Sequence, residues 1–119
     1  MINGTHAMVY VEDADAARAF FRDVLEFPHV DDGDGWLIFR LPPAEMGVHP
    51  VDPAESGQFG LYLTCDDIHD TVATLRDRGV EFASDVMEMD WGLLISMRIP
   101  GGATMGLYEP RHATTLDAG

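Results

Sequence analysis

No lysine occurs among the 119 residues: all seven basic side chains are arginine, set against 21 Asp plus Glu for a formal charge of −14. The missing amine excludes a P-loop phosphate lysine, a Schiff-base lysine and a lysine general base. The scarcity of positive charge argues against nucleic acid and against anionic membrane surfaces, both of which are bound through clustered cations. Long apolar runs are missing too, so no segment is expected to span a bilayer. Met1 to Thr5 has neither a basic segment nor an apolar stretch, and the expected location is the cytoplasm. A single cysteine, Cys65, rules out an intrachain disulfide, a CxxC redox pair and a zinc knuckle. It lies in an apolar strand pattern and reads as an inert buried thiol. There is no GxGxxG, HExxH or GxSxG, Ser96 has no base partner at a readable spacing, and Asp66-Asp67 at a helix start reads as capping. No catalytic residue is assigned.

What the chain does have is ample apolar content, 46% of residues, for one domain with a buried core. It also repeats itself. His6-Ala7-Met8-Val9-Tyr10-Val11 leads into Asp13 as Gly60-Leu61-Tyr62-Leu63-Thr64-Cys65 leads into Asp67, and both runs read as strands. After Asp13, the positions Ala17, Phe20, Phe21, Val24 and Leu25 form one helical stripe, with Asp13 or Asp15 as N-cap. Ile68, Val72 and Leu75 form the matching stripe after Asp67, ended by Gly79. Residues 36–42 and 94–100 are each a strand closed by proline, and Met46-Gly47-Val48-His49 matches Met105-Gly106-Leu107-Tyr108. The expected units are therefore a first module over about 5–50, a Pro- and Gly-containing linker at 51–57, a second module over 58–110 and a tail at 111–119.

The doubled strand, helix and three further strands, with His-Ala-Met-Val-Tyr-Val followed by Glu-Asp-Ala-Asp-Ala-Ala-Arg-Ala-Phe-Phe, resemble the vicinal oxygen chelate superfamily. Glyoxalase I, bleomycin-resistance proteins and extradiol dioxygenases belong to it. The resemblance implies an α+β fold of two tandem βαβββ modules, whose curved mixed sheets surround a central cavity. It also implies a homodimer.

Strand alternation sorts the side chains. An apolar set (Ala7, Val9 and Val11; Leu37, Phe39 and Leu41; Leu61, Leu63 and Cys65; Leu93, Ile95, Met97 and Ile99) is expected against the helices. The opposite faces place His6, Tyr10, Trp36, Arg40, His49, Tyr62, Ser96, Arg98 and Tyr108 around the cavity as a ligand-binding pocket. Metal-dependent relatives resemble one another in placing donors on the first and last strands of each unit. Those positions fall on His6, Gly47, Gly60 and Gly106, of which only the first can ligate. The resemblance thus implies no complete family metal site and no obligatory cofactor, while His6 and His49, with Glu45 nearby, leave room for a displaced divalent metal site. Arg40 and Arg98, at equivalent places in the two copies, could clamp a carboxylate, or each could pair with an acid at the rim. Tyr10, Trp36, Tyr62, Trp91 and Tyr108 offer stacking surfaces or packing. The expected partner is an aromatic or carboxylate-bearing small molecule. The expected function is small-molecule binding, with a metal-dependent lyase, isomerase or dioxygenase as the alternative. His29, His69 and His112 receive no role.

Overall fold

The computed structural model describes Met1 and residues 6–115. Asp13 caps α1 (Ala14–Ala19) by accepting from the Ala16 amide at 3.0 Å. The apolar stripe then continues through a π-helical segment, Phe20–Val24, and buries Ala17, Phe20 and Phe21. Asp67 caps α2 (Ile68–Asp77) through the Asp70 amide at 3.1 Å, and Gly79, at φ 87°, ends it in the left-handed conformation. The buried face of α2 is Ile68, Val72 and Leu75, the stripe expected from the sequence.

The second half builds a four-stranded sheet of β3 (Tyr62–Thr64), β4 (Met87–Met89), β5 (Gly92–Ile99) and β6 (Ala103–Pro110). Its order is β3-β6-β5-β4, with β3 parallel to β6 and the remaining pairs antiparallel. Alternation along β5 buries Leu93, Ile95, Met97 and Ile99, which join Met105, Leu107, the α2 stripe and Ala17, Phe20 and Phe21 in one core. Each such fully buried side chain is worth about 1.5–3 kcal/mol over exposure.

The first half forms less. Its regular strands among the described residues are β1 (His29–Asp31) and β2 (Leu37–Phe39), an antiparallel pair. Two expected strands are absent: residues 6–11 and 46–49 are not in a ladder. The cause lies in a turn. In the second half β5 and β6 fold back from Ile99 to Ala103 through Gly101 and Gly102, at φ 107° and 116°. The first half has Pro42-Pro43-Ala44 at that place. Proline holds φ near −65° and cannot enter the positive region, which costs alanine about 1–2 kcal/mol. Without that hairpin, residues 6–11 have no strand to join as β3 joins β6. The expectation that Ala7 and Val9 face a helix fails with it, although Val11 still packs against the core. Tyr10, Met46 and Val48 are 85%, 84% and 89% exposed.

Gly101 also ties the halves together. Its carbonyl accepts from the Asp13 amide at 3.2 Å, and a side chain there would run into the Asp13 carbonyl oxygen.

Candidate functional site

The register of the second sheet determines which candidates share a face. Tyr62 and Ser96 both stand opposite Gly106, while Thr64 and Leu94 both stand opposite Tyr108. Tyr62, Thr64, Leu94, Ser96, Gly106 and Tyr108 therefore lie on the face turned away from α2, with Arg98 and Thr104 paired at one end. The Tyr108 hydroxyl donates to the Trp91 carbonyl at 2.9 Å, and its ring meets Trp91 edge-on at 5.3 Å and His112 at 5.7 Å. Burial, and then the charge of Glu45, push the Tyr108 phenol up. The Ser96 amide donates to the Ser84 hydroxyl at 3.0 Å, which ties the β5 backbone to the preceding loop.

The first-half candidates stand apart from this group. No hydrogen bond, ion pair or ring contact among the described residues joins His6, Tyr10, Trp36, Arg40 or His49 to Tyr62, Ser96, Arg98 or Tyr108. His6 and Tyr10 lie on the exposed 6–11 segment. Trp36 has the Arg18 guanidinium of α1 over its ring, 4.5 Å from the centroid. Arg40 donates its amide to the Pro28 carbonyl at 2.8 Å, and His49 Nδ1 lies 2.6 Å from the carbonyl oxygen of Pro50. Neither Arg40 nor Arg98 has a carboxylate partner among the described residues.

Glu45 does cross to the tail that follows the second half. Its Oε2 accepts from the Thr114 hydroxyl at 2.6 Å, the Thr115 amide at 2.9 Å and the Thr115 hydroxyl at 3.2 Å. These bonds hold its carboxyl below the usual range. A cavity of about 460 Å³ opens beside this tie, lined by Thr64, Cys65, Asp66, Glu109, Pro110, His112 and Thr114. Strand alternation places Thr64 on the cavity face, whereas His112 and Glu109 receive no role from the sequence. His112 lies four residues beyond Tyr108, and a hairpin through Gly101-Gly102 that returns β6 alongside Trp91 is the signal that brings it near the site. Glu109 accepts from the Ile68 amide at 2.9 Å and so completes the N-terminal cap of α2. Half-buried Cys65 points its Sγ at the Tyr108 carbonyl, 3.8 Å away, and burial pushes its thiol up, away from nucleophilic character.

The residues present do not fit the metal centre of the metal-dependent relatives. Gly47, Gly60 and Gly106 bring no donor, and no three His, Cys, Asp or Glu side chains among the described residues converge on one point. The space is also taken. A Cβ on Gly106 would run into the Tyr62 ring, and one on Gly60 would stand 3.1 Å from Tyr62 Cε2.

Comparison with known proteins accords with this architecture. A sequence model of the glyoxalase/bleomycin resistance protein/dioxygenase superfamily matches residues 5–112. An uncharacterized protein of Bacillus subtilis (strain 168), YetH, is 26% identical over 111 residues, covering 85% of this chain and 92% of its own. A superfamily member from Sphaerobacter thermophilus DSM 20745 superposes with a TM-score of 0.63 at 27% identity, over 91% of this chain and 98% of that one. TnmS3, an antibiotic binding protein from Streptomyces sp. CB03234, gives 0.59 at 26% identity, over 89% and 99%. Lactoylglutathione lyase from Agrobacterium tumefaciens gives 0.64 over 90% and 92% but is 18% identical, a likeness of fold alone. With its helices packed on a mixed sheet of order β3-β6-β5-β4, and with the family model matching residues 5–112, the chain belongs to the glyoxalase/bleomycin resistance protein/dioxygenase superfamily.

Proposed function

We propose that this chain is a small-molecule-binding protein of the superfamily that works without a metal ion, in the cytoplasm, as a homodimer. The observation that carries the reading is the pair of glycines, Gly60 and Gly106, covered by the Tyr62 ring at the places where metal donors would stand. That face offers aromatic surface and hydroxyl groups from Tyr62, Thr64, Ser96 and Tyr108. Such a surface suits recognition by stacking and a few hydrogen bonds. TnmS3, among the similar structures, is an antibiotic binding protein. Arg40 and Arg98, both without acidic partners among the described residues, would hold a carboxylate on the ligand. His6, Tyr10, Trp36 and His49 would complete the pocket from the first-half side.

The occupant of the exposed first-half surface is a second copy of the chain. The accessible surface is 9009 Å², roughly 2,600 Å² above the ~6,400 Å² of a compact monomer of this mass. That excess compares with what each subunit of a large obligate homodimer buries. The Cα radius of gyration, 15.3 Å, likewise exceeds the ~13.5 Å of a compact chain of this length. Exposed apolar Met8, Tyr10, Met46 and Val48 would supply the contact.

Elemental analysis of protein purified without chelators tests the metal-free reading. The expected result is well under one equivalent of Fe, Mn, Zn or Ni per chain. One tightly held equivalent, lost on His6→Ala or His49→Ala, would establish the displaced metal site instead.

A further inference from the structure

Tyr62 differs from the other aromatic residues of the second sheet. Tyr108 has its hydroxyl bonded to Trp91 and its ring between Trp91 and His112. Tyr62 has no hydrogen bond and no ring partner among the described residues, and it is 54% exposed although it sits on a paired strand. Its ring nonetheless lies close against the sheet. A Cβ built on Gly106 would lie 2.6 Å from Tyr62 Cε1 and 3.2 Å from Cγ, and one on Gly60 would lie 3.1 Å from Cε2 and 3.7 Å from the hydroxyl oxygen. The ring thus lies between Gly106 on the neighbouring strand β6 and Gly60, two residues before Tyr62 on its own segment. Any residue with a side chain at position 106 would displace it. One side of the ring rests on the sheet, and the remaining surface and the phenol hydroxyl stay open.

We propose that Tyr62 is the specificity-determining residue of the site: its ring fills the space of both second-unit metal donors and presents an open aromatic face and a free hydroxyl to a planar aromatic ligand. The proposal rests on the metal-free binding reading and assigns that site its ligand class. The geometry makes the two chemistries mutually exclusive. A donor side chain at position 106 requires the ring to leave, and the ring in place requires glycine there. A ring already held against backbone loses little rotational freedom when a ligand stacks on it, which favours binding. The free hydroxyl can donate to or accept from a polar edge of the ligand.

The test titrates 2-naphthoate, a planar aromatic carboxylate, into ¹⁵N-labelled full-length protein and follows the amides of Gly60, Tyr62 and Gly106. One equivalent of Mn²⁺ is added in a parallel series, read by paramagnetic broadening of the same amides. The expected result is saturable naphthoate shifts at these three amides, weakened about tenfold by Tyr62→Ala and by less than threefold in Tyr62→Phe, with no local Mn²⁺ broadening. Thermal melts of both variants verify that they remain folded. Site-local broadening by Mn²⁺ in the wild type would overturn both this proposal and the metal-free reading. Naphthoate shifts that survive Tyr62→Ala unchanged, or that never reach Gly60 and Gly106, would overturn this proposal alone while leaving a metal-free binder.

Discussion

The two halves of the chain start from one residue pattern and reach different states. Leu37 and Phe39 occupy in the first half the places of Ile95 and Met97 in the second. Ile95 and Met97 are fully buried, whereas Leu37 and Phe39 are half-buried on a three-residue strand. The divergence begins at the turn, where Pro43 and Ala44 stand in place of Gly101 and Gly102. It then propagates: without the hairpin there is no last strand, and without the last strand residues 6–11 have nothing to pair with. A sheet that cannot close on its own strands leaves its apolar surface exposed, and the same break separates the first-half pocket candidates from the second-half face.

The most severe way to break this comparison is to give the second half the first half's turn. Gly101→Pro removes the positive φ and drives a ring into the Asp13 carbonyl; a loss of about 3 kcal/mol or more is expected in denaturant unfolding. A loss below about 1 kcal/mol would show that the turn does not distinguish the halves. Next in size, Ile95→Ala should cost about 2–5 kcal/mol and Leu37→Ala less than half as much. Equal costs would place Leu37 in a finished core. In the opposite direction, Pro43→Gly with Ala44→Gly changes stability by about 1 kcal/mol or less, because flexibility gained in the unfolded chain offsets the relieved turn. The same pair of changes should slow amide exchange at residues 46–49, and unchanged exchange would remove the turn as the cause.

The smallest effect concerns Glu45, where the first half meets the tail. Bonds from Thr114 and Thr115 lower its folded pKa, burial opposes them, and the nearby His112 adds a minor lowering. Its contribution therefore stands in full above the unfolded carboxyl value, about pH 4.3, and fades as pH falls through the lower folded value. The Thr115 amide signal should shift through that acid range, and Glu45→Gln should abolish the titration. A shift that persists in the glutamine variant would assign it to another carboxylate.

Much of the fold was legible in the sequence because capping and periodicity are local. Asp13, Asp67, Gly79 and the Ile68-Val72-Leu75 stripe specify helices without reference to anything distant. The alternation in β5 was legible for the same reason. Strands 6–11 and 46–49 were expected from pattern alone, but a strand exists only with a partner, and the Pro42-Pro43 pair was read as an end to one strand rather than as the loss of the next. The candidate site was legible as residue types on a face. What the sequence could not supply was the ring of Tyr62 lying across Gly60 and Gly106, a contact between strands more than forty residues apart, or His112 reaching Tyr108 from what reads as a loose tail. Acidic residues tell less than their number suggests. Most lie in turns and on polar helix faces, away from the core.

The mass of the protein in solution tests the central claim most directly. Size-exclusion chromatography with light scattering should give twice the chain mass at micromolar concentration, with Tyr10→Asp and Val48→Asp shifting it toward the single-chain value. A wild-type protein that stays at the single-chain mass would contradict the account, because the exposed first-half surface would then have no second copy to cover it.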